Sequence, residues 1–465
     1  MRSLTFSTAA EAQPIWPVDK TGLDRWLGSQ PPAVASWVRQ SGFQAKAGEF
    51  VLVPDGKGGI AGVAVGVPEK PDLWSYAPFT RRLPAGTYRI EAVLDRRRAT
   101  AAAIGWALAD YAFDRYKGKK NGNGNGSERA PATLEVPSTA DAGLVRRTVT
   151  ATKLVRDLVN EPAERLGPAE LAAAAVTLAR DHHAGCDVIV GDELLARNFP
   201  AVHAIGRASV RPPRLIDIVW GEADAPKVTL VGQGVCFDSG GLDLKPASAM
   251  RLMKKDMGGA ATVLGLAHMI MDAGLRVRLR VLIPAVENAV AGNALRPGDI
   301  IPTRRGLSVE IGNTDAEGRV ILADALALAD GETPELLIDC ATLTGAARTA
   351  LGPDIPAFFT PDDEVAAALT RTAESEADPL WRMPLWAPYR EYIETPVADL
   401  NNASDSGFAG AITAALFLKE FVSQTKRWVH VDLYAWNAKA RPGRPSGGEA
   451  MGLRALYALI SDRFA

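Results

Sequence analysis

The chain has 465 residues, 47% of them hydrophobic and 23% charged, with a formal net charge of -2. That length exceeds one ordinary core and predicts a globular protein of two domains. The near-neutral balance excludes a broad electrostatic footprint for nucleic acid, and the lack of an apolar run of about 18 residues excludes a membrane-spanning helix.

In chain order, residues 49 to 67 alternate short Val-rich runs around Asp55 to Gly59, a hairpin signal, and Thr87 to Leu94 reads as a further strand. An Ala-rich helix is expected from about Arg97 to Tyr116. Lys117 to Pro131 is polar and of low complexity, so an exposed flexible loop is expected there. A helix from about Thr139 to Asn160 follows. From Leu166 onward helical stretches alternate with β-rich runs at Asp187–Val190, Leu215–Trp220, Val228–Val231, Leu279–Ile283, Leu336–Asp339 and Trp428–Leu433. The expected fold class is therefore α/β: a small N-terminal α/β domain, then a larger domain with a mixed, largely parallel sheet covered by helices. The boundaries are set at 1–135 for the first domain, 136–164 for a connecting helix and 165–465 for the second. The Ile412 to Phe421 stripe is expected to be core helix.

Cys186, Cys236 and Cys340 lie far apart without C-x-x-C spacing, which predicts neither a disulfide framework nor a thiolate metal site. No sustained apolar core precedes Glu11, Pro14 and Pro17, so a cytoplasmic protein is expected. His182 and His183 read as a solvated helix end, His268 as a packing residue, and His203 and His430 as isolated. Gly240-Gly241 and Gly258-Gly259 match neither phosphate-loop pattern.

The chemistry concentrates elsewhere. Asn313 to Arg319 reads N-T-D-A-E-G-R, Phe237 to Gly241 reads F-D-S-G-G, Lys245 precedes Pro246, and Lys254 to Gly259 reads K-K-D-M-G-G. Hard divalent cations prefer carboxylate oxygens, and two of them about 3.5 to 4 Å apart can share bridging acids. Asp238, Asp256, Asp315 and Glu317 would neutralise two such ions. Lys245 and Arg319 would then serve negative charge that develops during reaction. Strand ends are where sites form in parallel sheets, and Asp238 follows the Val228–Val231 run.

At these residues the chain resembles the leucine aminopeptidase family of dinuclear metallopeptidases, whose signature N-T-D-A-E-G-R stands complete at Asn313 to Arg319. The resemblance extends over about residues 145 to 460. It implies a metallo-exopeptidase that removes the first residue of short peptides, with Asp238 and Glu317 bridging two metals, Asp256 on one and Asp315 on the other. It places Lys245 at the scissile carbonyl and a bicarbonate on Arg319. Met253, Thr342 and Gly345 match the first side-chain pocket, and the Leu343 carbonyl matches a substrate contact. Manganese or zinc, with magnesium or cobalt also compatible, and a homohexamer are implied. The family has a lysine ligand in Gly-Lys-Gly where this chain has Gln233. A weakened metal site or a shifted metal preference is therefore expected, and with it the alternative of a catalytically weakened member in a structural, regulatory or DNA-binding role. A two-metal phosphatase is the third reading.

Overall fold

A computed structural model describes residues 2–9, 11–118 and 130–464. Most of the expected Lys117 to Pro131 loop, at 119–129, lies outside them. Two compact units form, one of Met1–Lys153 with Lys439–Ser446 and one of Leu154–Ala438 with Gly447–Ala465. The helix Ala142–Asn160 thus contains the division between units.

The first unit contains β1 (Leu4–Thr5), β2 (Gln13–Val18), β3 (Phe50–Pro54), β4 (Ile60–Gly66), β5 (Thr87–Ile90) and β6 (Thr133–Glu135), in the order β1-β6-β5-β2-β4-β3. Only β3 and β4 run antiparallel among these pairs, as the hairpin around Asp55 to Gly59 required. The unexpected element is β2. It carries Pro14 and Pro17 yet lies between β5 and β4, because Ile15 and Val18 are buried and outweigh the missing donors. The Ala-rich helix ends at Ala109 rather than continuing to Tyr116.

The second unit adds β7 (Gly185–Val190), β8 (Arg214–Trp220), β9 (Lys227–Gly232), β10 (Gly234–Asp238), β11 (Arg278–Asn288), β12 (Ile300–Pro302), β13 (Ser308–Glu310), β14 (Leu336–Ala341), β15 (Ala357–Phe359), β16 (Trp381–Arg382), β17 (Leu400–Asn401) and β18 (Trp428–Asp432). The main sheet runs β16-β15-β18-β14-β9-β11-β8-β7, and β10 pairs with β11 beyond the end of β9. Its centre, β18-β14-β9-β11-β10, is parallel, and antiparallel strands flank it. The expected mixed, largely parallel sheet is present.

Parallel alignment has a direct consequence for chemistry. The carboxyl ends of β9, β10, β11, β14 and β18 point one way and deliver Gln233, Asp238, Asn288, Thr342 and Asp432. The helix Gly258–Ala273 packs on β9 and β14 with nearly all its side chains buried. Gly259 permits the approach: a Cβ there would stand 2.0 Å from the Cys340 carbonyl oxygen.

The histidines differ from expectation. His182 is half-buried, and its Nε2 lies 2.9 Å from His268 Nδ1. His430 is not isolated: buried on β18, it bonds Asp339 at 2.5 Å, and the same carboxylate accepts Trp428 Nε1 at 2.6 Å. Neither feature is visible locally, since each partner comes from another element.

Candidate metal centre and active site

Each of the acids meets its neighbours through a turn or helix start. Asp238 ends β10, and its Oδ1 accepts from Gly240 N at 2.8 Å and Asn288 Nδ2 at 2.9 Å. Gly240 and Gly241 have φ of 89° and 65°, which L side chains adopt only with strain, so the reversal after Asp238 requires glycine. Lys245, carried back by that reversal, lies 2.6 Å from both Asp238 Oδ2 and Asp315 Oδ1. Glu317 opens the helix Glu317–Asp330, and a carboxylate at that end is favoured by the helix dipole.

Carboxylate oxygens of Asp238, Asp315 and Glu317 gather within 4.8 Å of one another, the group of metal-ligand type found among the described residues. Asp256 stands beside this triad. Its Oδ1 accepts from Thr342 Oγ1 at 2.6 Å and its Oδ2 from Gln233 Nε2 at 3.0 Å. Burial first, with the repulsion of neighbouring acids, raises Asp256, Asp315 and Glu317 above the usual carboxylate range. Burial acts against the Lys245 ammonium, but Asp238 and Asp315 outweigh it and raise its pKa. Crowded acids that repel one another are a donor set suited to hard divalent cations, all oxygen and drawn from several elements.

Gln233 occupies a specific place in this set. It is buried, its Nε2 also donates to the Asp256 carbonyl at 3.2 Å, and its Oε1 is buried without a hydrogen-bond partner. Gly318 lies against the amide, where a Cβ would approach Oε1, Nε2 and Cδ to 2.9 Å. An orphaned amide oxygen beside four acids fits a cation ligand better than a structural hydrogen bond. Arg319 is buried too, and its Nη1 donates to the Asn402 carbonyl at 2.8 Å. Burial lowers its pKa to about 10, so it stays cationic at neutral pH.

A cavity of about 390 Å³ is lined by Gln233, Asp238, Lys245, Asp256, Asp315, Glu317 and Arg319. Met253, Thr342, Leu343 and Gly345 line it as well, so every residue assigned to the candidate site from the sequence reaches one space.

Three residues escaped sequence reasoning. Asn288 Nδ2 donates to Asp238 Oδ1, to the Thr314 carbonyl at 3.1 Å and to Glu317 Oε2 at 3.3 Å, tying the triad together. Asn402 holds the Asn313 to Ala316 loop by accepting from Gly312 N and donating to the Asn313 carbonyl, each at 2.8 Å. Asp432 accepts from Leu343 N, Thr344 N and Thr344 Oγ1, shaping the strand exit at the cavity wall. A polar residue at the end of an apolar strand was the one signal for Asn288 and Asp432.

Comparison with known proteins points to one family. Residues 153–457 match the cytosol aminopeptidase family catalytic domain, and residues 13–124 match the M17 aminopeptidase N-terminal domain. Peptidase B of Pectobacterium carotovorum subsp. carotovorum (strain PC1) is 42% identical over 373 residues, covering 77% of this chain and 84% of that protein. A probable cytosol aminopeptidase of Roseiflexus castenholzii (strain DSM 13941 / HLO8) is 43% identical, covering 70% and 66%. The crystal structure of a cytosol aminopeptidase from Coxiella burnetii superposes with a TM-score of 0.95 at 45% identity, over 100% of both chains. The bottromycin maturation enzyme BotP, in complex with Mn, has a TM-score of 0.85 at 33% identity, covering 98% of this chain and 100% of its own. The chain belongs to the cytosol aminopeptidase family.

Proposed function

We propose that this protein is a metal-dependent aminopeptidase that removes the first residue of short peptides, using two divalent cations held by Asp238, Asp256, Asp315 and Glu317 with the Gln233 amide oxygen. The observation that carries it is the convergence of those acids with Lys245 and Arg319 on one cavity. When bound, two divalent cations would activate water and polarise the scissile carbonyl. Lys245 supplies the positive charge that stabilises an oxyanion as it develops. Arg319, charged and buried, holds an anion such as bicarbonate near the acids to take up a proton. Met253, Thr342 and Gly345 receive the first side chain, and the Leu343 carbonyl binds the peptide backbone. Manganese or zinc is the proposed metal, and BotP, a relative, was solved with Mn. The protein is proposed to act in the cytoplasm; no described helix is long and apolar enough to cross a membrane.

Gln233 favours a second reading, in which the scaffold is kept but catalysis is weakened. An amide oxygen is a shorter-reaching and different donor from a lysine amine, so one cation would be held less tightly. Metal-stripped protein resupplied with manganese or zinc, and tested on dipeptides and aminoacyl anilides, separates the two. Metal-dependent turnover that disappears in Glu317→Ala supports the peptidase. Silence of the parent with activity in Gln233→Lys supports the weakened enzyme, and silence of both rejects the aminopeptidase.

A further inference from the structure

The segment that carries Lys245 gains little from burial. From Leu242 to Ala249 every residue except Lys245 is exposed, Leu242 at 41% and Leu244 at 61%. The oxygens that Lys245 Nζ meets, on Asp238 and Asp315, are the ones assigned above to cations, so they are not free to position it in the working enzyme. A cation that serves a developing oxyanion must nevertheless be held in place, because small displacements are expensive in catalysis. Other polar contacts have to fix this segment.

Asp243, two residues before Lys245, makes them. Its Oδ2 accepts from Thr314 N at 2.7 Å, and its own N donates to Thr314 Oγ1 at 2.8 Å. The Thr314 hydroxyl in turn donates to the Gly240 carbonyl at 2.6 Å, with Asp243 Oδ2 a second acceptor at 3.1 Å. Thr314 is buried within the N-T-D-A-E-G-R run, so it is a fixed post for an exposed turn. Lys245 N closes that turn on the Ser239 carbonyl at 3.0 Å. The turn has no slack: a Cβ on Gly240 would stand 2.5 Å from the Asp243 carbonyl oxygen and 2.9 Å from Lys245 N. A shift of Asp243 therefore passes directly to Lys245.

We propose that Asp243 is a positioning residue of the reaction, whose carboxylate, clamped on the Thr314 amide, sets where the Lys245 ammonium meets the scissile carbonyl. This rests on the aminopeptidase reading above and on the role given there to Lys245. Asp243 itself does not line the cavity.

The test measures kcat and KM on aminoacyl p-nitroanilides, together with metal content after gel filtration, in the parent, Asp243→Ala and Asp243→Asn. Asp243→Ala is expected to lower kcat by about 10- to 100-fold, the order that a misplacement of about 1 Å costs, with KM and metal content within about twofold of the parent. Asp243→Asn keeps an acceptor for the Thr314 amide and recovers most of the loss. In a Lys245→Met background, where the ammonium is already gone, Asp243→Ala lowers kcat little further, since residues that act through one group are not additive. An equal loss in both backgrounds overturns the inference, as does an unchanged kcat in Asp243→Ala. Loss of metal in Asp243→Ala overturns it too, because the effect would then run through Asp315. Should the parent be silent, the same series is read in Gln233→Lys. Silence of the parent and of Gln233→Lys rejects the aminopeptidase and this inference with it, whereas the other contrary outcomes leave the aminopeptidase standing.

Discussion

Asn288 illustrates how much of the site rests on residues that are neither acid nor base. One amide nitrogen touches two acids and the backbone between them, and so sets the spacing of Asp238 and Glu317. Hydrogen-bond partners of metal ligands are worth about 10- to 100-fold in metal affinity or activity. Asn288→Ala is therefore expected to bind metal about 10- to 100-fold more weakly, read by metal content after dialysis against a graded chelator. Retention equal to the parent would show that Asp238 and Glu317 hold their spacing unaided. The acids themselves were legible in the sequence because each sits in a contiguous motif beside glycines. Asn288 was not, because its partners come from residues far along the chain and its own surroundings look like ordinary strand.

At the level of elements, two buried acids join segments that propensity alone leaves separate. Asp324, on the helix Glu317–Asp330, accepts from Ala201 N at 2.8 Å, Val202 N at 3.2 Å and Arg304 N at 2.8 Å. Burial pushes its carboxyl from 3.8 to about 7 against those donors. The folded state therefore binds the proton more tightly than the unfolded chain, so this contribution is complete below about pH 3.8 and is lost as the pH rises to about 7. Urea midpoints of the parent should fall relative to Asp324→Asn across that window, and parallel curves would contradict the assignment. Asp339 anchors His430 and Trp428 on the neighbouring strand. Asp339→Ala strands both donors and is expected to cost about 3 to 5 kcal/mol, seen as a lowered Tm. The β-rich runs of the main sheet were readable from their apolar content. Strand β2, with two prolines, was not, since only the neighbouring strands that bury Ile15 and Val18 make it a strand.

For the whole molecule, family membership carries an expectation about assembly. A hexamer of the 49.4 kDa chain is expected in solution, and light scattering after gel filtration reads its mass directly. A monomer with full activity would show that catalysis needs no assembly. The unit structure adds a point that linear reading missed: Lys439–Ser446 belongs with the first unit although it lies near the end of the chain.

The sequence by itself determined the candidate acids and cations of the site. These candidates can be read from short motifs, because ligands of hard cations need fixed residue types on tight turns, and such turns leave glycine signatures at neighbouring positions. Tertiary structure decided which groups support and surround them. The pairing of Asn288 with two acids and of Asn402 with the signature loop arises where separate strands end together. Side chains brought together by sheet order need no local signature, and so their meeting is written only in the fold.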